Sequence, residues 1–180
     1  MAKVSSLLRP NLGNVVYVSK SVNVYYNLQV EEYLLNNTPN DQRCLLFYTN
    51  TDSVVIGRNQ SYFLEVNFPS LKDTVVARRY SGGGTVFHDL GNVNYSLITD
   101  KRLFNKQYLA ESVARPFKLH VNIRHDLVNN RGEKVSGSAF RILREKALHH
   151  GTMLLATDLV KLHFMLQSPA KPTDKVPVPS

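Results

Sequence analysis

The sequence is poor in cysteine and tryptophan and has no long apolar run. Its 180 residues include one cysteine and no tryptophan, and it has no stretch of about 18 apolar residues, the length typical of a transmembrane helix. We therefore expect no internal disulfide and no membrane association. Cys44 stands in the apolar run 44–48, which is typical of a buried core position rather than of a nucleophile. A single cysteine also favours a reducing compartment.

Metal-ligand patterns are missing as well. No set of Cys, His and Asp residues has the spacing of a zinc site. His149 and His150 are adjacent in a predicted strand, where neighbouring side chains point to opposite faces and are poor joint ligands. The sequence therefore predicts no metal site.

Acidic residues are outnumbered, and the excess of basic residues is uneven. The formal net charge is +8; residues 1–77 contain six basic and six acidic residues, whereas residues 78–180 contain sixteen and eight. This excess indicates an anionic ligand, an acidic protein partner or nucleic acid. Since no aromatic motif of the RNA-recognition type is present, we expect no nucleic acid partner.

The first thirty residues lack acids altogether. They carry Lys3, Arg9 and Lys20, and the first carboxylate is Glu31. This composition is faintly similar to that of a mitochondrial transit segment. We therefore expect a mitochondrial location, with the cytoplasm as the alternative.

Hydrophobic patterning predicts a single α+β domain. Helices and strands are interspersed, and strands outnumber helices, which favours a mixed, largely antiparallel sheet flanked by helices. We expect an N-terminal extension at 1–14, a catalytic domain at 15–167 and a tail rich in proline and lysine at 168–180. The predicted helices cover 23–36, 105–114 and 158–167, and the predicted strands cover 15–19, 44–48, 53–56, 74–77, 93–98, 119–123, 126–128, 133–140 and 146–155. Strands 44–48 and 53–56 are expected to pair as a hairpin-like unit, and the turn residues 129–132 predict another hairpin.

The most informative stretch is a glycine-rich loop that follows two arginines. Three consecutive glycines leave backbone N–H groups free to face an anion, and the arginines add charge. No Gly-Lys-Ser/Thr sequence closes the loop, so it is not a Walker A motif, and its glycine spacing differs from the dinucleotide fingerprint. A phosphate or acyl-phosphate cradle is the functional interpretation, and a simple hairpin turn is the structural alternative. The stretch is Ala77-Arg78-Arg79-Tyr80-Ser81-Gly82-Gly83-Gly84-Thr85-Val86-Phe87-His88-Asp89-Leu90-Gly91-Asn92.

A lysine among small residues forms a second motif. Lys134 is followed by Val135-Ser136-Gly137-Ser138-Ala139 on the return arm of the predicted hairpin. Its ammonium group suits a carboxylate or phosphate, whereas a solvated lysine beside a turn is the alternative.

Taken together, four motifs resemble the lipoate–protein ligase and lipoyltransferase family, over about residues 15–166. They are Ser53-Val54-Val55-Ile56-Gly57-Arg58-Asn59-Gln60, the stretch 78–92, the stretch 134–139, and His149-His150-Gly151-Thr152-Met153-Leu154-Leu155. The resemblance implies a biotin/lipoate-protein-ligase-like catalytic domain and transfer of a lipoyl group from lipoyl-AMP to a carrier lysine. It implies Lys134 as the catalytic residue. The implied binding residues are Arg79, Gly82, Gly83, Gly84, Thr85, Val86, Phe87, Arg124, Lys134 and Thr152.

The same resemblance implies the substrates and partners. Lipoyl-AMP, or lipoate plus ATP with magnesium, is the implied substrate, with no tightly bound cofactor. The implied partners are acidic lipoyl domains of 2-oxoacid dehydrogenase complexes and the glycine-cleavage H protein, and we expect a monomer. The lipoyl tail needs an apolar slot, which we assign to Val54, Ile56, Val75 and Val86.

Two departures from the family pattern leave alternatives open. Ile123-Arg124-His125-Asp126 stands where bacterial members carry Gly-Arg-Asn-Asp, which favours the animal mitochondrial lipoyltransferases. Family members also continue well past Ser180, so the domain is expected to be incomplete relative to them. A relative that binds the adenylate or the carrier without transfer is therefore one alternative. Octanoyl transfer is another alternative. It normally proceeds through an acyl-cysteine intermediate, and the single cysteine, Cys44, precedes all four motifs.

Overall fold

The computed structural model describes the backbone at residues 2–3 and the complete chain at residues 13–167. In this part, a six-stranded sheet and two three-stranded sheets are combined with four α-helices. The strands are β1 (Ala2–Lys3), β2 (Asn14–Val18), β3 (Arg43–Thr49), β4 (Ser53–Ile56), β5 (Val75–Arg78), β6 (Val86–His88), β7 (Asn92–Asp100), β8 (His120–Val121), β9 (Leu127–Val128), β10 (Lys134–Ser136), β11 (Ser138–Ile142) and β12 (Lys146–Leu154). The helices are α1 (Val24–Asn37), α2 (Tyr62–Glu65), α3 (Lys106–Ala114) and α4 (Leu159–Met165), and short 3₁₀ turns cover Phe68–Ser70, Lys101–Leu103 and Arg115–Phe117.

The large sheet is mixed and largely antiparallel, as predicted. Its strand order is β1-β2-β3-β7-β12-β11, and only β2 and β3 run parallel. The long strands β7 and β12 pair over nine residues each and form its centre. This sheet is the rigid platform on which the motif residues of β12 are placed.

Helix α1 covers one face of the large sheet. The side chain of Asn23 caps its first turn by accepting a hydrogen bond from the Tyr26 N–H, a usual way of satisfying the free amides at a helix start. Its inward side chains, including Leu34 and Leu35, pack on Leu46 and Ile98 of the sheet. Helix α3 lies with a separate apolar cluster that includes Tyr95, Ala110, Ala114, Leu127 and Met153.

The predicted pairing of β3 with β4 is wrong. Strand β3 belongs to the large sheet, whereas β4 is the central strand of a small sheet with order β5-β4-β6. All four residues of β4 are buried, because Val54 and Ile56 pack in one cluster while Val55 packs in another. A strand covered on both faces and paired at both edges has no free edge for a hairpin partner.

The predicted turn at 129–132 is confirmed, but the return arm is divided. Gly132 has φ +77°, and its N–H donates to the Asn129 carbonyl. Strand β10 then pairs with β9, whereas β11, beyond Gly137, pairs with β12 in the large sheet. The division at Gly137 places Lys134 on the edge strand β10, which lies beside β12 of the large sheet.

Most of the predicted N-terminal extension and the whole predicted tail at 168–180 lie outside the described residues. Within residues 2–3 and 13–167, none of the helices combines the length and the apolar composition needed to cross a bilayer. The same residues contain no group of three or more His, Cys, Asp or Glu side chains arranged to hold a metal ion.

Candidate functional site

The motifs meet at a cavity of about 210 Å³ between the large sheet and the small sheet. Tyr48, Asn94 and Thr152 form its floor, because they lie in one row across β3, β7 and β12. The small sheet supplies Val55 and Val86 as an apolar wall. The complete lining is Leu28, Tyr48, Val55, Arg79, Gly83, Gly84, Thr85, Val86, His88, Asn94, Asp126, Lys134, Gly137, Ser138, Ala139, His150, Gly151 and Thr152.

Arg79 holds the glycine loop in place. Its Nη2 donates to the carbonyl oxygens of Gly82 and Gly84, at 2.8 and 2.7 Å, and its Nη1 donates to the Val55 carbonyl at 3.1 Å. Burial lowers the pKa of this guanidinium below its usual value. These donors are therefore already engaged with the protein, and the contribution of Arg79 to a bound anion would be charge and loop shape.

The loop conformation depends on glycine at two points. Gly83 has φ +96°, a backbone region that glycine enters without a steric penalty. Gly57 lies so close to the loop that a Cβ atom there would be 2.0 Å from the Gly83 carbonyl oxygen. A Cβ on Gly82 or Gly84 would meet no atom within 4 Å, so the backbone of the loop is open on the side where a ligand would approach.

Lys134 stands at the mouth of the cavity, paired with a carboxylate. Its Nζ lies 2.8 Å from Oδ2 of Asp126, and its side chain is 56% exposed. Asp126 is placed by a tight turn in which the Asn122 side chain accepts hydrogen bonds from the N–H groups of Arg124 and Asp126. Thr152 fixes the backbone just after β10, because its Oγ1 accepts a hydrogen bond from the Gly137 N–H at 3.2 Å. A lysine ammonium group therefore lies at the entrance to a cavity that has Val55 and Val86 on one wall.

A buried hydrogen-bond network supports the loop from below. The Glu31 carboxylate bonds to Nδ1 of His150 at 3.0 Å, and Nε2 of His150 lies 2.5 Å from the Ser81 hydroxyl. Burial alone would raise the pKa of Glu31, but the charge of His150 and hydrogen bonds from His150, Ser96 and Tyr48 hold this pKa below its usual value. The Ser81 hydroxyl in turn accepts from Nε of Arg79 at 3.1 Å. The network therefore connects α1 and β12 to the glycine loop.

The structure brings most of the predicted site residues together. Those that line the cavity are Arg79, Gly83, Gly84, Thr85, Val86, Lys134 and Thr152. Three others do not line it. Gly82 is in the open loop beside the cavity but not in its lining, Arg124 is exposed two residues from Asp126, and the side chain of Phe87 lies on the opposite face of β6, in the core with Val54. Phe87 is 1% exposed, so the prediction that its side chain contacts a ligand in this cavity is wrong.

The prediction of an apolar slot is wrong for three of its four residues. Of its four residues, only Val86 lines the cavity; Val54 and Ile56 pack on the far side of the small sheet, and Val75 packs around Val55 and Leu28. Because side chains alternate along a strand, Val55 takes the place assigned to its neighbours.

Sequence reasoning missed several residues of the cavity wall. His150, Tyr48 and Asn94 come from three different strands of the large sheet and become neighbours only through its register. Asp126 comes from the turn before β9. His88 was visible beside the glycine loop, and its position two residues after Val86 was a usable signal, since residues two apart on a strand share a face.

A second, larger cavity carries none of the predicted site residues. It has a volume of about 350 Å³ and lies between α3 and the other face of the large sheet, with an apolar lining that includes Leu45, Phe47, Tyr95 and Val113. The motif residues therefore select the smaller cavity as the candidate site.

Comparison with known proteins now identifies the family. Residues 23–179 match the model of the lipoyl protein ligase A/B catalytic domain. The chain belongs to this family. A Schizosaccharomyces pombe protein that is provisionally named lipoate-protein ligase A is 43% identical over 178 residues, which cover 94% of this chain and 49% of that protein. The chain spans about half the length of the curated relatives it matches.

Solved structures of lipoate ligases confirm the fold of this family member. A P. falciparum protein in complex with lipoate superposes with a TM-score of 0.76 at 32% identity, over 87% of this chain and 52% of that one. A bipartite lipoate protein ligase from Thermoplasma acidophilum, studied with its E2 lipoyl domain, gives 0.75 at 27% identity, over 86% and 66%. A lipoate-protein ligase A bound with ATP gives 0.72 at 25% identity, over 87% and 70%.

Two buried imidazoles of this ligase-family domain should make its fold sensitive to acid. Burial, with Arg79 and His150 nearby, lowers the pKa of His88 to about 3, and burial with His150 and His125 lowers the pKa of His149 to about 3. Between pH 6.5 and about 3 the unfolded chain therefore binds more protons than the folded chain, and the free energy of unfolding falls as the pH falls. At about pH 5 we expect a loss of about 2 kcal/mol per histidine.

Urea unfolding at neutral pH and at about pH 5 measures this loss. The variant His149→Phe should show about half of the wild-type difference, because phenylalanine does not titrate and suits the stacking on Phe140. Equal stability of the wild-type protein at both pH values would contradict the prediction.

Proposed function

We propose that this chain binds lipoyl-AMP and transfers its lipoyl group to a lysine of an acidic lipoyl carrier domain. The observation that carries the proposal is the convergence of the glycine loop, Lys134 and Thr152 on one cavity with an apolar inner wall. The cavity is smaller than the roughly 300–1,000 Å³ of most small-molecule pockets. It therefore suits the acyl tail, with the adenylate lying over the open loop.

The chemistry required is electrostatic rather than nucleophilic. The neutral carrier amine attacks the acyl carbonyl, a C–N bond forms, the C–O bond to the phosphate breaks, and AMP leaves with the electron pair. The amine nitrogen gives up one proton to solvent. Charge grows on the carbonyl and phosphate oxygens, and preorganised donors stabilise it. Lys134 at the mouth and the open amides of the loop would be these donors. Cys44 is fully buried, away from the cavity lining, so octanoyl transfer through it is not supported.

Relatives support the choice of substrates and partner. Structural neighbours have been solved with lipoate and with ATP, and one has been studied with its E2 lipoyl domain. Activation of lipoate by ATP is therefore part of the proposal as an earlier step. The basic excess in residues 78–180 favours an acidic carrier, because opposite charges speed the encounter of two proteins.

Intact mass spectrometry of a lipoyl domain tests the proposal. The apo domain is incubated with this chain and synthetic lipoyl-AMP, and in a second reaction with lipoate, ATP and magnesium. We expect the mass of one lipoyl group to be added from lipoyl-AMP, above an enzyme-free control. A domain whose acceptor lysine is replaced by arginine should stay unmodified.

Two results would contradict the proposal. One is a folded protein that neither binds lipoyl-AMP nor modifies the domain. The other is binding of lipoyl-AMP without any gain in mass, which would instead favour a binding-only relative. The ATP reaction decides only whether the chain also performs the activation step.

A further inference from the structure

The inner end of the cavity holds a histidine whose orientation is fixed by two buried asparagines. His88 is 4% exposed and lines the cavity. Its Nδ1 lies 2.9 Å from Nδ2 of Asn50, and the Oδ1 of Asn50 lies 2.8 Å from Nδ2 of Asn27. Asn27 and Asn50 are both fully buried, so this chain of contacts does not exchange partners with water.

Backbone carbonyls determine the direction of every hydrogen bond in this chain. The amide nitrogen of Asn27 faces the carbonyl oxygens of Ser21 and Thr49, at 2.9 and 3.1 Å. Since a carbonyl only accepts, this end of Asn27 must be the NH₂ group. An NH₂ group cannot accept a hydrogen bond, so the atom of Asn50 that lies 2.8 Å from it must be the carbonyl oxygen, and the NH₂ group of Asn50 must face His88.

The proton of His88 is placed by the same logic. An amide NH₂ group only donates, so Nδ1 of His88 must accept and the ring proton must be on Nε2. Burial, with Arg79 nearby, also lowers the pKa of this ring to about 3, which keeps it neutral. Within the described part of the chain, Nε2 has no hydrogen-bond partner. Since His88 is 4% exposed and the Lys134 side chain at the mouth is 56% exposed, this N–H donor lies in the deeply buried part of the cavity wall.

We propose that the Nε2–H group of His88 makes this slot select acyl groups whose far end carries a hydrogen-bond acceptor, such as a dithiolane ring, over groups that end in hydrocarbon. The inference rests on the proposed function, because it assigns the inner end of the cavity to the acyl tail. Divalent sulfur is a weak acceptor. A hydrocarbon end would bury the N–H without a partner, which is costly in a protein interior.

A matched pair of substrates isolates the sulfur atoms. One is lipoyl-AMP, and the other is its cyclopentyl analogue, in which two CH₂ groups replace the two sulfur atoms of the ring. Shape and chain length are nearly the same, so the difference in kcat/KM reports the contact of the ring with the slot. We expect lipoyl-AMP to be preferred about tenfold, the size expected for one unpaired buried donor.

Two substitutions assign the preference to His88. His88→Phe keeps a ring of similar shape but removes the N–H, so the ratio of the two kcat/KM values should fall close to one. His88→Gln keeps a donor near the position of Nε2 and should restore most of the preference. An unchanged ratio in His88→Phe would overturn the inference, whereas failure of the wild-type protein to transfer either acyl group would instead contradict the proposed function.

A measurement on the wild-type protein removes the dependence on folding of the variants. Histidine-selective ¹⁵N labelling and long-range correlation spectra distinguish the two neutral forms of the ring. We expect the proton of His88 on Nε2, and a larger shift of this nitrogen with lipoate than with the cyclopentyl analogue. A proton on Nδ1, or equal shifts with both acids, would overturn the inference.

Discussion

Replacing Lys134 with alanine should slow lipoyl transfer by about 10²–10³-fold, the usual effect of removing one donor that stabilises charge on a reacting oxygen. Lys134 and Arg79 are the two permanently cationic side chains that line the cavity, and the donors of Arg79 are engaged with loop carbonyls and Ser81. Lys134 is therefore the cation that can turn toward the acyl phosphate, by giving up its ion pair with Asp126. Single-turnover transfer from preformed lipoyl-AMP, followed by intact mass, measures this step without the activation reaction.

The fold should survive this change, because the Lys134 side chain is more than half exposed. Its loss leaves the buried carboxylate of Asp126 with the Ser138 N–H but without its ion pair, and we expect a fall in the free energy of unfolding of about 1–2 kcal/mol. Lys101→Ala is the matched control. This exposed lysine follows the end of β7 that points away from the cavity, about 20 Å along the strand from Asn94. Equal transfer rates in the two variants would remove Lys134 from the proposed mechanism.

Local sequence signals were sufficient for the elements but not for all of their partners. Helix α1 was predictable because Asn23 caps it and its apolar residues recur at helical spacing. The strands that pair with β4 were not predicted, because the short connection between β3 and β4 is typical of a hairpin. The continuous apolar run of β4 is itself typical of a strand covered on both faces, and this signal, rather than loop length, indicated its central place in a second sheet.

The candidate site was predictable where one motif supplies neighbouring atoms, and not where distant strands supply them. The glycine loop and Lys134 were recognised from sequence because each signal lies within a few consecutive residues: the three glycines in the loop, and the lysine followed by small residues. Glu31 is 119 residues from His150, and their contact depends on how α1 lies across β12. The strand alternation that separates Phe87 from His88 was available from sequence, but only once the face of Val86 was known.

Replacing Gly57 with alanine should be the most damaging single methyl addition at the site. The new Cβ would lie 2.0 Å from the carbonyl oxygen of Gly83. The two segments have little freedom to separate, because the Arg58 N–H donates to the Ser81 carbonyl at 2.9 Å and Arg78 donates to the Gly57 carbonyl at 3.0 Å. Such overpacking costs about 3 kcal/mol, so the Tm should fall by about 6–12 °C. Lipoyl-AMP binding should be lost as the loop is displaced.

Gly82→Ala is the control for this loss, because it adds the same methyl group to the loop at a position with open space around it. In Gly82→Ala the new Cβ meets no atom of the protein within 4 Å and the backbone is not in the left-handed region, so the free energy of unfolding should change by about 0.5 kcal/mol or less. Thermal unfolding of both variants, with calorimetric titration of lipoyl-AMP, separates two causes of weak binding. Loss of stability and binding together in Gly57→Ala would mean that Gly57 supports the loop from behind. Weaker binding at full stability in Gly82→Ala would mean that the ligand itself occupies the open side, and equal stability of the two variants would contradict the close contact between Gly57 and Gly83.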